Sequence, residues 1–128
     1  MRLLLDTQTF LWAVGAPERL SSRARRAIQL ASNEIIVSAA SAWEIAIKVG
    51  LGRLDLPDGP QRFVPDQMAA NAFEPLAIQL RHALQVAELP DIHRDPFDRL
   101  LVAQASTEGL VLVTADRQLR KYPIETLW

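Results

Sequence analysis

Cysteine is absent from this 128-residue chain, which removes disulfides, thiolate metal ligation and thiol nucleophiles from consideration. Histidine occurs only twice, and neither copy stands at a useful metal-ligand spacing, so a zinc site is disfavoured. No charge of one sign dominates. Lys plus Arg total 14 against 15 Asp plus Glu, a formal net charge of −1 that exerts no global pull on nucleic acid. A polyanion would have to be held locally, through a basic patch or through bound cations. No stretch approaches the roughly 18 apolar residues that span a bilayer, and Met1-Arg2-Leu3-Leu4-Leu5-Asp6 is too short an apolar run for a signal peptide. The expectation is a soluble, cytoplasmic protein with no membrane role. Gly-rich phosphate loops, internal repeats and low-complexity tracts are also lacking.

What is there is a 49% hydrophobic content in a length that suits one compact domain. Short apolar runs at Leu3-Leu4-Leu5, Glu34 to Ser38 and Leu110 to Thr114 have the look of buried central strands in a parallel sheet. Shorter strand candidates lie at Glu74 to Ala77 and Ile124 to Leu127. Helical patterns separate them: a basic helix over Ser22 to Ala31 with Arg23, Arg25 and Arg26 outward, a nearly all-apolar helix over Trp43 to Leu51, and a stripe of Leu80, Ala83, Leu84 and Ala87. Pro57, Gly59 and Pro60 read as a loop, as does Pro90 to Pro96. Strands alternating with helices predict an α/β sandwich.

Four acidic residues stand where these elements begin or end. Asp6 follows the first strand directly, at the carboxyl edge where ligands collect in an open parallel sheet, although Asp is also a preferred N-cap for the helix carrying Thr9 to Trp12. Glu44 closes a Ser41-Ala42-Trp43-Glu44 capping box, yet a first-turn Glu lies at the same end of the sheet. In His93-Arg94-Asp95-Pro96-Phe97-Asp98-Arg99, Pro suits the first helical position, which makes Asp95 the N-cap and Asp98 the third helical residue; Gly109 sits where the C-cap belongs. Asp116 follows the strand ending at Val113, where an Asx or Ser/Thr turn is the plainer reading.

If the strands are parallel these carboxylates converge, repel one another and raise one another's pKa values. Hard divalent cations compensate: Mg²⁺ or Mn²⁺ prefers oxygen ligands and keeps several waters. The chemistry that suits such a site is phosphodiester hydrolysis by a metal-activated water. The competing reading is a non-catalytic α/β protein-binding module whose acidic residues are helix caps. A haloacid-dehalogenase-like phosphatase would need a second Asp where Gln8 stands. A receiver domain would need an acidic pair after the first strand and a Lys where Thr114-Ala115-Asp116 is found.

Taken together, Leu3-Leu4-Leu5-Asp6-Thr7, Ser41 to Lys48, Asp95 to Ala105 and Thr114-Ala115-Asp116 resemble a PIN-domain ribonuclease of the VapC toxin type, in that family's order and spacing over nearly the whole chain. The resemblance implies a single PIN domain over residues 1–128, a three-layer α/β/α sandwich around a central, mainly parallel sheet. It implies a Mg²⁺- or Mn²⁺-dependent endoribonuclease toxin, neutralised by a small cognate VapB-like antitoxin that blocks the groove. Asp6, Glu44 and Asp98 are then the catalytic metal ligands and Asp116 a fourth acidic residue acting through water. Thr114 is the hydroxyl that orients the site, Thr7 helps to position Asp6, and Asp95 supports the helix that presents Asp98. Gln8 departs from the family, where many relatives carry another polar residue, often His.

Lys48, Arg53, Arg94, Arg99 and Arg117 flank the acidic motifs and are the candidate RNA contacts. The Arg23, Arg25 and Arg26 run is explained by a solvent face, and Trp12 and Trp43 are expected in the core. A homodimer is expected from the family. The Trp43 to Leu51 helix could supply its surface, with Ile45 and Val49 on a face opposite Ala46 and Gly50; a central helix packed on both sides would look the same.

Overall fold

The computed structural model describes all 128 residues, Met1–Trp128. Five strands, β1 (Arg2–Leu5), β2 (Glu34–Ser38), β3 (Glu74–Leu76), β4 (Val111–Val113) and β5 (Thr126–Leu127), form one sheet in the order β3-β2-β1-β4-β5. Every pairing is parallel, with Leu4 opposite Ile36 on one side and Leu112 on the other. Six helices flank it: α1 (Thr7–Gly15), α2 (Ser22–Gln29), α3 (Ala39–Gly50), α4 (Pro60–Ala70), α5 (Leu80–Gln85) and α6 (Pro96–Glu108).

Burial on both faces explains why the central strands read as unbroken apolar runs. Leu3 and Leu5 point into one core with Phe10 of α1, Ala24 of α2, Ile45 of α3 and Val64 of α4. Leu4, one residue out of phase, points into the other with Leu101, Val102 and Ala105 of α6. The β1-to-β2 connection therefore covers one face and the β3-to-β4 connection the other. The chain builds outward from β1 through β2 to β3, then crosses to β4 and β5. β1 and β4 thus flank a topological switch point, and the crevice outside their carboxyl ends is where such sheets place ligands.

Local chemistry sets the helix ends. Asp95 caps α6, its Oδ1 accepting the Asp98 N–H at 3.0 Å, and Pro96 takes the first helical position. Gly109 ends the helix at φ +65°, a left-handed conformation that favours glycine, and the Leu110 N–H reaches back to the Ala105 carbonyl.

Several expectations change. α3 begins at Ala39, capped by Ser38, whose Oγ accepts the Ala40 N–H at 2.9 Å. Ser41 is therefore inside the helix, and the Ser41-to-Glu44 capping box does not form. α4 starts at Pro60, the last residue of the loop read there, and runs through a segment in which no element was read, because it carries Pro65 inside and Val64 is its one buried residue. The stripe of Leu80, Ala83, Leu84 and Ala87 faces outward, with Leu80 and Leu84 exposed, while His82 is the buried residue of α5. α3 is not packed on both sides either: Ile45 is buried, but Trp43, Ile47 and Leu51 are exposed. Trp43 is thus no core residue; its ring packs T-shaped with Phe97, at 4.9 Å between centroids.

Candidate active site

Asp6 is delivered to the switch point by two coincident demands. Its backbone N–H extends the β1–β4 ladder to the Val113 carbonyl at 3.2 Å, and its side chain caps α1, Oδ1 accepting the Thr9 N–H at 2.8 Å. The second oxygen, Oδ2, accepts the Thr114 hydroxyl at 2.5 Å. Burial raises the Asp6 pKa above 3.8; the Thr114 and Thr9 hydrogen bonds oppose that shift, and the charge of Asp116 adds to it.

Glu44 projects from the first half of α3 and is nearly fully buried. One oxygen, Oε2, is 2.7 Å from Lys48 Nζ, one helical turn along. The other, Oε1, is buried with no hydrogen-bond partner at all. An unpartnered buried carboxylate oxygen is costly in a folded protein, and Glu44 caps nothing.

Asp98 sits in the first turn of α6. Burial first, then the negative charge of Asp95, raises its pKa from 3.8 to about 6; a hydrogen bond from His93 opposes this, while Asp6 and Glu44 add to it. Asp116 is held in a tight turn, its N–H donated to Thr114 Oγ1 at 3.0 Å and its Oδ1 accepting the Gln118 N–H at 2.8 Å. The turn expected there is present, leading into a short 3-10 segment.

Asp6, Glu44, Asp95, Asp98 and Asp116 all line one cleft of about 470 Å³, with Thr7, Gln8, Trp12, Lys48 and Arg53 among its walls. Capping accounts for Asp6 and Asp95 and turn chemistry for part of Asp116. It accounts for neither Glu44 nor Asp98. The Thr7 hydroxyl donates to Ser41 Oγ at 2.9 Å, tying the start of α1 to α3.

The basic candidates divide. Lys48 and Arg53 line the cleft, whereas Arg94 and Arg117 are exposed outside its wall. Arg99 turns away from it, donating to the carbonyls of Val86, Pro90 and His93 and to the Tyr122 hydroxyl. His93, passed over in the sequence, stands 3.3 Å from Asp98 Oδ2. Its signal there was proximity to Asp98 within one motif, but the Tyr122 contact that orients its ring is tertiary.

A divalent cation suits this donor set. All the acidic donors are oxygens, one of them buried and unpartnered, and the carboxylates repel without a counterion. No three of the His, Asp or Glu side chains close into a ready-made coordination shell, so the fit rests on the chemistry of the donors.

Comparison with known proteins places the chain in a family. Residues 3–125 match the PIN domain family. The chain belongs to the PIN-domain family. Within it, the chain is of the VapC type: it is 34% identical to Ribonuclease VapC22 of Mycobacterium tuberculosis over 121 residues, 94% of this chain and 91% of that protein. A second relative from that organism, Ribonuclease VapC16, is 43% identical over 58 residues, 45% of this chain and 41% of VapC16. Among solved structures, VapBC2 from Rickettsia felis, bound to a promoter DNA fragment, superposes with a TM-score of 0.74 at 16% identity, covering 99% of this chain and 98% of that one. FitAcB from Neisseria gonorrhoeae gives 0.62 at 19% identity, covering 98% and 96%.

Proposed function

We propose that this VapC-type protein, acting as a single PIN domain over residues 1–128, is a Mg²⁺- or Mn²⁺-dependent endoribonuclease toxin. The observation that carries the reading is Glu44, a buried carboxylate with one oxygen unpartnered in a cleft shared with Asp6, Asp98 and Asp116. Asp6, Glu44 and Asp98 would hold the ion, with Asp116 supporting it through water. The bound metal supplies a water of lowered pKa and neutralises phosphate charge.

The chain's own groups do the rest. Thr114 holds Asp6 Oδ2, so that this carboxylate keeps one orientation as charge enters the cleft. Lys48 and Arg53 line the cleft and offer cations to RNA phosphates. Lys48 is paired with Glu44 at 2.7 Å, which sets its ammonium at the cleft beside the carboxylates. Leu11, Trp12 and Leu54 give the cleft an apolar wall that favours unstacked bases of single-stranded RNA.

An antitoxin of the VapB type is the proposed protein partner, with a second copy of this chain as the other. The exposed apolar side chains of α3 (Trp43, Ile47) and of Leu51 just past its end, with Leu80 and Leu84 of α5, support such contacts. No helix is long and apolar enough to cross a membrane, and action in the cytoplasm is proposed. The test is cleavage of total RNA by the purified chain in Mn²⁺: D6A and D98A should abolish it with the fold intact, and cleavage surviving both substitutions would overturn the reading.

A further inference from the structure

The groups that hold Asp98 form a directed chain that leads away from the cleft. His93 Nε2 lies 3.3 Å from Asp98 Oδ2, and its other nitrogen, Nδ1, lies 2.7 Å from the Tyr122 hydroxyl. Tyr122 is buried, its ring meeting the His93 ring edge-on at 5.5 Å and 65°. Arg99 Nη1 donates to the same hydroxyl at 3.0 Å. Arg99 itself is fastened by backbone carbonyls of the loop preceding α6.

Donor and acceptor bookkeeping fixes the direction. A guanidinium only donates, so the Tyr122 oxygen accepts from Arg99 and its proton turns to the acceptor facing it, His93 Nδ1. The imidazole proton then lies on Nε2, aimed at Asp98 Oδ2. The reverse tautomer would leave the Tyr122 proton without a recorded acceptor and set the Nε2 lone pair against a carboxylate.

We propose that His93 is a positioning residue for Asp98, which lines the cleft: through the chain Arg99 to Tyr122 to His93 it holds Oδ2 and leaves Oδ1 unengaged. The inference rests on the metal-site reading above. Histidine and carboxylate exchange their usual places, since in many metal sites a carboxylate orients a ligating imidazole; here an imidazole orients a ligating carboxylate. The arrangement also gives α6 a reason to begin where it does, because Asp98 and Arg99 are adjacent and face the two ends of one network.

The test uses the full chain and Mn²⁺ alone, with free Mn²⁺ followed by electron paramagnetic resonance. H93A should weaken Mn²⁺ binding by about 10- to 100-fold, the usual effect of losing an outer partner of a metal ligand. H93Q, whose amide nitrogen replaces Nε2–H, should recover most of the loss. Y122F should weaken binding by a smaller factor and shift His93 away from a pure Nε2–H tautomer in long-range ¹H–¹⁵N spectra, a signature that a merely structural role would not produce. If H93A binds like wild type while D98A does not, the positioning role falls and the metal site stands. If D98A also binds like wild type, both fall. A wild-type His93 protonated on Nδ1 overturns the chain without any variant, even if H93A fails to fold.

Discussion

Substituting Asp98 by Asn should make the metal-free protein more stable at neutral pH, although it removes a residue proposed to be essential. Asn keeps the shape and can still accept from His93, but it carries no charge. Raising a carboxyl pKa from 3.8 to about 6 costs the ionised native form roughly 3 kcal/mol. Asp98 keeps 19% side-chain exposure, and solvent screening reduces the realised gain to about 1–2 kcal/mol. The sign follows from proton linkage. The native state binds more protons than the unfolded chain between about pH 4 and 6, so stability on account of Asp98 is full below about 4 and falls as pH rises through about 6. D98N should therefore gain its stability above pH 6 and show no advantage below pH 4. Urea denaturation in EDTA at several pH values reads this directly, and in thermal melts the gain at pH 7.5 amounts to about 3–8 °C. Adding Mg²⁺ should stabilise wild type by mass action and leave D98N unmoved. A D98N variant less stable than wild type at pH 7.5 in EDTA would refute the reasoning, because it would make the carboxylate a structural asset.

Other consequences follow from the same geometry. T114V removes the hydroxyl that satisfies Asp6 Oδ2 and should cost about 1–3 kcal/mol in urea denaturation; no loss would mean the bond does not hold Asp6. Mn²⁺ affinity, measured by calorimetry, should rise as pH increases through about 6, where Asp98 ionises; a flat profile from pH 5 to 8 would contradict that. G109A, at a left-handed position with nothing within 4 Å of an added Cβ, should lose about 1 kcal/mol for backbone reasons alone. D95N keeps an N-cap acceptor and should leave cleavage far closer to wild type than D98N does in a gel-based RNA assay.

The strands that position the site were legible because both faces of a parallel sheet are covered: β1, β2 and β4 carry apolar residues without alternation, and Asp6 and Thr114 mark their ends. α6 was equally legible, since Asp95-Pro96 and Gly109 are local signals that no distant contact has to supply. The cap of α3 was placed three residues late, at Ser41 instead of Ser38, because both serines are competent caps; Ser38 also donates to Gln104 at 2.5 Å, while Ser41 accepts from Thr7. α4 lacked the pattern of a helix, with a proline inside and one fully buried side chain. The Leu80 and Leu84 stripe has the right period but no core beneath it, so periodicity alone pointed inward. Asp6, Asp98 and Asp116 were readable as element ends, whereas Glu44, read in a first turn, lies inside α3 beyond its first turn. The state of each member was not readable: the unpartnered Glu44 oxygen, the His93 ring against Asp98 and the Arg99 side chain drawn to carbonyls depend on side-chain orientation, and the Tyr122 hydroxyl that engages both His93 and Arg99 lies 29 and 23 residues from them.

The most direct test of the central claim is the chemistry of the cut ends. RNA treated with the purified protein in Mn²⁺, with EDTA and D6N controls, should be cleaved only by the wild type with metal. Attack by a metal-activated water leaves one hydroxyl and one phosphate monoester end. Cleavage that persists in EDTA and leaves 2′,3′-cyclic phosphates, the product of attack by the RNA's own 2′-hydroxyl, would contradict it.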